Sequence, residues 1–205
     1  MPLVTAHQNF PHFFNVLDPK VNPWVYTAWQ GDVARQAAPR WMSRPYRLTG
    51  AGSVLSGARW SVRGLMPTIY ASTDPDTLNA EYYHKGRRYG WVESDFHPSL
   101  RVGMNWKLQR VAALTQPAIL AALGVAEPKL LECDWNACQL AGREALTQAI
   151  ARAAFERLAE GLLVHSARRD GGVNLVYFPS HRLDGTIIET LNPAALPPDM
   201  HGLAA

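Results

Sequence analysis

The chain has 205 residues, 47% of them hydrophobic, so it can bury one sizeable core, and we expect a single domain spanning residues 1–205. Its 20 Lys and Arg against 17 Asp and Glu give a net charge of +3, too small an excess to indicate nucleic-acid binding. No secretory leader opens the chain and no apolar run approaches membrane-spanning length, so we expect a cytoplasmic protein without membrane contact.

The first part of the chain shows little periodicity. Residues 1–40 are rich in proline and aromatic side chains, which predicts an irregular or briefly helical N-terminal extension. Three glycines then lie between Arg47 and Arg59, so the backbone there can turn tightly and bring the two arginines together. An arginine pair of this kind would suit an anionic small molecule.

The next segment predicts a strand followed by a helix that carries an acid. Residues 67–72 have the pattern of a short strand, and Thr73-Asp74-Pro75 provides an N-cap with proline at the first helical position. In the helix that begins at Pro75, Glu81 follows Leu78 by three residues. Its carboxylate is therefore expected beside an apolar face, which is an unusual position for an acid.

The second half predicts strands interleaved with helices. The expected elements are a half-buried strand at 100–114, a short helix at 118–123, a long helix at 144–160 ended by Gly161, and strands at 162–164 and 174–178 that could form a hairpin. Because the spacing of regular βαβ units is missing, a mixed α+β domain fits better than a doubly wound sheet. Neither a dinucleotide-binding glycine fingerprint nor a P-loop lysine motif is present.

Each candidate residue also has an ordinary structural interpretation when taken alone. Glu81 would most often be a solvated helix residue, and Tyr70 would usually belong to a core. Arg59, next to Trp60, could be a surface or cation–π partner, while Ser166 could simply end a strand. What indicates function is the ordered series of motifs to which these residues belong.

That series runs from Tyr46 to Arg182 and resembles the RES domain. It comprises Arg47, Gly57-Ala58-Arg59-Trp60-Ser61, Tyr70-Ala71-Ser72, Asn79-Ala80-Glu81, Asp134-Trp135, Thr147-Gln148, the stretch 161–168 and the stretch 174–178. The departures are Ala58 for a glycine, Ser61 for asparagine and His165 for the more common proline. A domain core at 46–182 is expected, with the extension at 1–40 and a peripheral tail at 193–205 outside it.

The resemblance implies a fold similar to ADP-ribosyltransferase toxins, with a mainly antiparallel sheet and flanking helices. It also implies a toxin that consumes NAD and is paired with an Xre-type helix-turn-helix antitoxin. NAD would then be the substrate, with no further cofactor. No histidines or cysteines stand at metal-ligand spacing, so no metal site is predicted.

The implied roles of the residues agree with the chemistry of NAD. Arg47 and Arg59 would clamp the pyrophosphate or the ribose edge, and Tyr70 would offer a flat face to the nicotinamide. Glu81 would stabilise the positive charge that develops on the ribose when nicotinamide leaves. Ser166 and Asn174 are expected as further contacts to the nicotinamide amide or the ribose.

Several alternatives remain open at this level. The ADP-ribosyl group could pass to water, to inorganic phosphate or to a residue of a target protein, and the same residues would serve all three reactions. A non-catalytic module that only holds a nucleotide or a peptide belongs to another functional class. An effector delivered to rival cells would differ from an antitoxin-bound toxin by its genetic neighbours.

Overall fold

The computed structural model describes residues 4–42, 47–88 and 90–191. The expected tail at 193–205 lies outside these residues, as does Tyr46, the first residue of the predicted core. The described part consists of one mixed sheet and the helices that pack around it. Within it, no helix has both the length and the apolar character needed to cross a membrane.

The sheet is mainly antiparallel. Its strands are β1 (Tyr26–Ala37), β2 (Ile69–Ser72), β3 (Leu100–Ala113), β4 (Gly161–His165), β5 (Val173–Tyr177) and β6 (Ile187–Thr190). They lie in the order β1-β2-β5-β4-β3-β6, and β1 also pairs with β3, so the pairings of the first five strands form a closed circuit. The β3–β4 pair is parallel and the others are antiparallel. The expected fold class, α+β with a mainly antiparallel sheet and flanking helices, is confirmed.

Helices cover the sheet and connect its strands. They are α1 (Phe10–Val16), α2 (Pro39–Met42), α3 (Ala51–Ser56), α4 (Pro75–Arg88), α5 (Pro117–Leu123), α6 (Glu127–Glu132), α7 (Trp135–Leu140) and α8 (Leu146–Glu156). One core cluster joins α1, α5 and α8 to strands β3, β4 and β5, with Phe13, Ile150 and Phe178 fully buried. A second cluster surrounds Trp106 and Ile69 and draws on β1, β2, β3 and β5.

Local sequence signals predicted several elements correctly. Strand β2, the start of α4 at Pro75 and strand β3 lie where they were expected. Asp74 does cap α4, because its Oδ1 accepts the Thr77 backbone N–H at 2.9 Å. Strands β4 and β5 are adjacent and antiparallel, which confirms the hairpin.

The prediction of an irregular segment at 1–40 was wrong for β1, a twelve-residue strand. Strand β1 pairs with β3 from Tyr26↔Ala112 to Ala37↔Leu100, so its partner is distant in sequence. Most of its side chains are half-buried or exposed, and only Val33 is fully buried, so the hydrophobic alternation that reveals a strand is weak. Strand pairing, rather than the local pattern, determines this element.

Two further expectations need correction. The segment between Arg47 and Arg59 contains helix α3 rather than only a turn. The long helix ends at Glu156, before Gly161, and Gly161 instead begins β4. A Cβ on Gly161 would lie 2.4 Å from the Val176 carbonyl oxygen, so this glycine permits the close approach of β5 rather than stopping a helix.

Candidate active site

A cavity of about 470 Å³ opens where α3, α4, the end of β1 and the β4–β5 hairpin meet. This volume is within the range of small-molecule sites. Its lining includes four of the six residues predicted for the site, and these are Arg59, Tyr70, Glu81 and Asn174. Ser166 joins them through a hydrogen bond to Glu81, whereas Arg47 is not among the lining residues.

The position of Glu81 follows from the elements on both sides of it. Strand β2 ends at Ser72, directly opposite Asn174 of β5. The chain then turns at the Asp74 cap into α4, which carries Glu81 to the wall of the cavity. Arg169 of the β4–β5 loop donates to Asp74 Oδ1 at 2.9 Å, so the loop that carries Ser166 is attached to the helix that carries Glu81.

The Glu81 carboxylate accepts two hydrogen bonds at the same oxygen. Ser166 Oγ donates to Glu81 Oε1 at 2.6 Å, and Asn174 Nδ2 donates to the same atom at 2.9 Å. Neither bond uses Oε2. The carboxyl group is therefore held in one orientation by two donors from outside α4, and Oε2 accepts no hydrogen bond from the described residues.

Each of these two donors is oriented by a further group. The Arg168 backbone N–H donates to Ser166 Oγ at 3.0 Å, which directs the single hydroxyl proton of Ser166 toward Glu81. Ser72 Oγ donates to Asn174 Oδ1 at 2.7 Å, which leaves the amide N–H of Asn174 for Glu81. The carboxylate thus lies at the centre of a connected polar network.

Arg59 also lines the cavity and is held by backbone carbonyls. Its Nη1 donates to Leu130 O at 2.7 Å and to Leu131 O at 3.3 Å. Burial lowers the pKa of Arg59, and the nearby positive charge of Arg168 lowers it further, while Cys133, Glu81 and Tyr70 act in the other direction. The Arg59 guanidinium is therefore fixed in place but retains donors for an anion.

Tyr70 combines a structural role with a place on the cavity wall. Its hydroxyl accepts the Trp60 backbone N–H at 2.9 Å, and its ring packs against the first core cluster. Burial raises the pKa of Tyr70, so the phenol remains protonated. The hydroxyl oxygen is thereby held by the backbone, while its proton and the ring can still contact a ligand.

Sequence reasoning missed Arg35, which lines the cavity where Arg47 does not. The two are neighbours, because Arg35 Nη1 donates to the Arg47 carbonyl oxygen. Burial alone lowers the pKa of Arg35 to about 10, so it is still a cation at neutral pH. Arg35 lies two residues after the buried Val33 and so on the same face of β1. This placement can be recognised only once the segment is known to be a strand.

Arg47 has a different environment from the other arginines. Its Nε and Nη1 atoms are buried and have no hydrogen-bond partner among the described residues. Such donors are costly to leave unpaired, which is compatible with a ligand or a neighbouring segment that completes them. The predicted clamp of Arg47 with Arg59 therefore stays a prediction, and Arg35 is a second candidate for that role.

Arginines outnumber carboxylates among the described residues that line the cavity. Arg35, Arg59 and Arg168 line it, and Glu81 is the one carboxylate among the described lining residues. No group of three or more His, Cys, Asp or Glu that could hold a metal ion occurs in the described part of the chain. The cavity thus suits an organic anion that places one electron-poor centre beside Glu81.

The fold is shared with a protein of known structure. A chain of the M. tuberculosis MbcT–MbcA toxin–antitoxin complex superposes with a TM-score of 0.66, covering 88% of this chain and 90% of that one. The two sequences are 20% identical, so the likeness shows a common fold. By sequence, the chain matches no curated protein.

The family is defined more directly by the sequence profile of the RES domain. This profile matches residues 27–196, which include β1 with Arg35 as well as Glu81, Ser166 and Asn174. The chain therefore belongs to the RES domain family. The match begins inside the segment expected to be an N-terminal extension, in agreement with the place of β1 in the sheet.

Proposed function

We propose that this protein is a toxin that cleaves the nicotinamide–ribose bond of NAD and so depletes the cell of NAD. The observation that carries the proposal is the position of Glu81, a carboxylate that Ser166 and Asn174 orient on the wall of a cavity that three arginines also line. A carboxylate held in this way suits a positive charge that appears during the reaction. Membership of the RES domain family supports the same reaction class.

Cleavage of the nicotinamide–ribose bond requires few protein side chains. The bond between ribose C1′ and the nicotinamide nitrogen breaks, and its electron pair leaves with the nicotinamide, which neutralises the pyridinium. The sugar carbon and ring oxygen then share a positive charge, as in glycoside cleavage. Glu81 stabilises this charge or accepts a hydrogen bond from a ribose hydroxyl. An acceptor oxygen adds at C1′ and releases its proton to solvent.

The arginines provide the binding energy in this proposal. A pyrophosphate accepts paired donors from guanidinium groups, and Arg35 and Arg59 both line the cavity while their other bonds go to backbone carbonyls. The ring of Tyr70 gives the nicotinamide a flat surface, which the hydrogen bond from the Trp60 backbone N–H to the Tyr70 hydroxyl holds in place. NAD is consumed as the substrate here, and no further cofactor enters the reaction.

Product analysis tests the reaction and its acceptor together. Purified protein is incubated with NAD, with and without inorganic phosphate, and the products are resolved by mass spectrometry. Release of nicotinamide with ADP-ribose identifies transfer to water, and a phosphorylated ADP-ribose identifies transfer to phosphate. Radiolabelled NAD added to a cell lysate identifies a mono-ADP-ribosyltransferase if label enters a protein. The Glu81→Gln variant is the control in each arm.

The binding-only alternative makes the opposite prediction. A non-catalytic module would leave NAD unchanged after prolonged incubation of the folded protein, and the Glu81→Gln variant would behave identically. Saturable binding of NAD with no product at any protein concentration would therefore replace the enzymatic proposal.

An antitoxin is the partner that we propose. The structural neighbour comes from a toxin–antitoxin complex, and the resemblance described above implies an Xre-type helix-turn-helix partner. A cavity lined by Arg35, Arg59 and Arg168 would attract a carboxylate, such as a partner's C-terminus. A small helix-turn-helix gene beside this one, whose product co-purifies and inhibits, is the expected result. A secretion cluster would instead favour an effector delivered to rival cells.

The same partner experiment can be sharpened by truncation. If a C-terminal segment occupies the cavity, its removal should abolish inhibition even where the two proteins still associate. Inhibition that persists after truncation would contradict insertion into the cavity. The proposed substrate and partner together place the protein in the cytoplasm, in contact with neither nucleic acid nor membrane.

A further inference from the structure

Ser72 occupies a position that the proposed reaction does not by itself require. It is the last residue of β2, is 3% exposed, and lies opposite Asn174 in the register of β2 and β5. Its hydroxyl donates to Asn174 Oδ1 at 2.7 Å, and Asn174 Nδ2 donates to Glu81 Oε1 at 2.9 Å. A chain of two hydrogen bonds therefore connects a buried strand residue to the carboxylate.

The orientation of the Asn174 amide determines whether the Glu81 carboxylate faces a hydrogen-bond donor or a carbonyl oxygen. An amide presents a donor on one side and an acceptor on the other, and the two sides have nearly the same shape. In the observed orientation the N–H group faces the carboxylate. After a flip, the carbonyl oxygen would face the carboxylate and repel it, and the donor to Glu81 would be lost.

Ser72 stabilises the observed orientation because a buried hydroxyl proton needs an acceptor. Asn174 Oδ1 provides that acceptor only when Nδ2 points toward Glu81. Hydrogen bonds arranged in series also polarise one another, so the bond from Ser72 strengthens the bond from Asn174 to Glu81. Without Ser72 the amide oxygen would lose its partner and the amide would be freer to rotate.

We propose that Ser72 is a positioning residue for Glu81, acting through the Asn174 amide. The inference rests on the proposed cleavage of NAD at Glu81. Ser166 orients the same oxygen from the other side, so Ser72 and the Arg168 backbone N–H have equivalent roles behind the two donors. Their joint effect is to hold Oε1 in place between its two donors.

The Ser72→Ala variant should lower kcat roughly tenfold, about the effect of one lost hydrogen bond in the network, with KM little changed. Thr73→Val is the matched control. Thr73 follows the last residue of β2, and its Oγ1 donates to the Val173 carbonyl of β5 at 3.1 Å, so this change removes a neighbouring hydroxyl that does not contact Asn174 or Glu81. The control should keep the kcat of the unmodified protein.

A double-mutant cycle separates positioning from direct contact with substrate. Asn174→Ala removes the amide through which Ser72 acts, so Ser72→Ala should have no further effect on kcat in that background. A further loss of the same size as in the unmodified protein would overturn the relay, since Ser72 would then act on the substrate itself. An unchanged kcat in the single variant Ser72→Ala would overturn it as well.

A spectroscopic measurement tests the relay without any turnover. In protein labelled with ¹⁵N-asparagine, the side-chain NH₂ of Asn174 is assigned by its loss in Asn174→Ala. The Ser72→Ala change should shift this pair and accelerate its exchange with water, whereas Thr73→Val should leave it in place. An unchanged pair in Ser72→Ala contradicts the inference. Absence of NAD cleavage by the unmodified protein contradicts the proposed function instead, so the two failures are distinguishable.

Discussion

The two sides of the cavity satisfy their charges in different ways. On the acidic side, Glu81 Oε1 accepts hydrogen bonds from Ser166 and Asn174, and both donors are themselves oriented by other groups. On the basic side, Arg35 and Arg59 donate to backbone carbonyls, and no carboxylate of the described residues forms an ion pair with either one. Burial lowers the pKa of both arginines.

The difference indicates a division of work between the two sides. A carboxylate whose donors are already in place needs no rearrangement when positive charge develops beside it, so it suits the reacting centre. Half-buried guanidinium groups without a carboxylate partner keep a net positive charge that a ligand can neutralise, so they suit binding. Variants on the acidic side should therefore reduce kcat, and variants on the basic side should reduce affinity.

The largest effect is expected at Glu81. The Glu81→Gln variant keeps the size of the side chain and an acceptor for Ser166 and Asn174, but removes the charge that stabilises the transition state. We expect kcat for NAD cleavage to fall about 10²- to 10³-fold, with little change in KM. Asp170→Asn, on the exposed part of the β4–β5 loop, is the matched control and should keep full activity.

A comparison of two arginines tests the basic side. In the Glu81→Gln background, which slows turnover enough for binding to be measured, Arg35→Gln should weaken NAD binding about 10- to 100-fold, because hydrogen bonds to charged groups contribute about 1.5–3 kcal/mol. Arg47→Gln should weaken it less, since Arg47 does not line the cavity. Isothermal titration calorimetry measures the NAD affinity of both variants. A larger loss for Arg47 would instead favour the clamp predicted from the sequence.

Removing the Tyr70 hydroxyl should lower the stability of the fold rather than the rate of NAD cleavage. Tyr70→Phe removes the acceptor of the Trp60 backbone N–H but leaves the ring on the cavity wall. We expect the free energy of unfolding, measured by urea titration, to fall by about 1–3 kcal/mol, with kcat nearly unchanged. A large loss of kcat at unchanged stability would show that the hydroxyl takes part in the reaction.

The smallest effect is expected where the loop that carries Ser166 joins α4. Arg169 pairs with Asp74 at 2.9 Å, and both side chains are about one-third exposed, so solvent screens the pair. The Arg169→Gln variant should lower the free energy of unfolding by less than about 1 kcal/mol. This difference should shrink in 1 M salt. A loss that persists at high salt would indicate hydrogen bonding rather than charge.

Local patterns allowed much of the acidic side to be predicted. The proline at the start of α4, the Asp74 cap and the three-residue spacing from Leu78 all act within one or two helical turns, so they identify both the helix and the unusual place of Glu81. The β4–β5 hairpin was equally accessible because its strands are short, apolar and close in sequence.

On the basic side, Arg59 was predicted for the site, but Arg35 could not be found in this way. Arg35 reaches the cavity because β1 pairs with the distant strand β3, and no local periodicity shows that pairing. The clamp that the family resemblance implied was therefore Arg47 with Arg59, two arginines that the glycines between them could bring together. Which arginine faces the cavity depends on the register between β1 and β3. These strands are far apart in the sequence, so the residues near Arg35 carry no local pattern that shows the pairing.

The sequence by itself determined the class of fold, the start of the helix that carries Glu81 and the motifs that mark the family, because these are encoded in short segments and in their order along the chain. Only the tertiary structure decided which side chains lie together at the cavity. The connection from Ser72 through Asn174 to Glu81 joins β2, β5 and α4, and Arg35 enters from β1. Hydrogen bonds between such distant elements depend on backbone positions fixed only when the sheet closes.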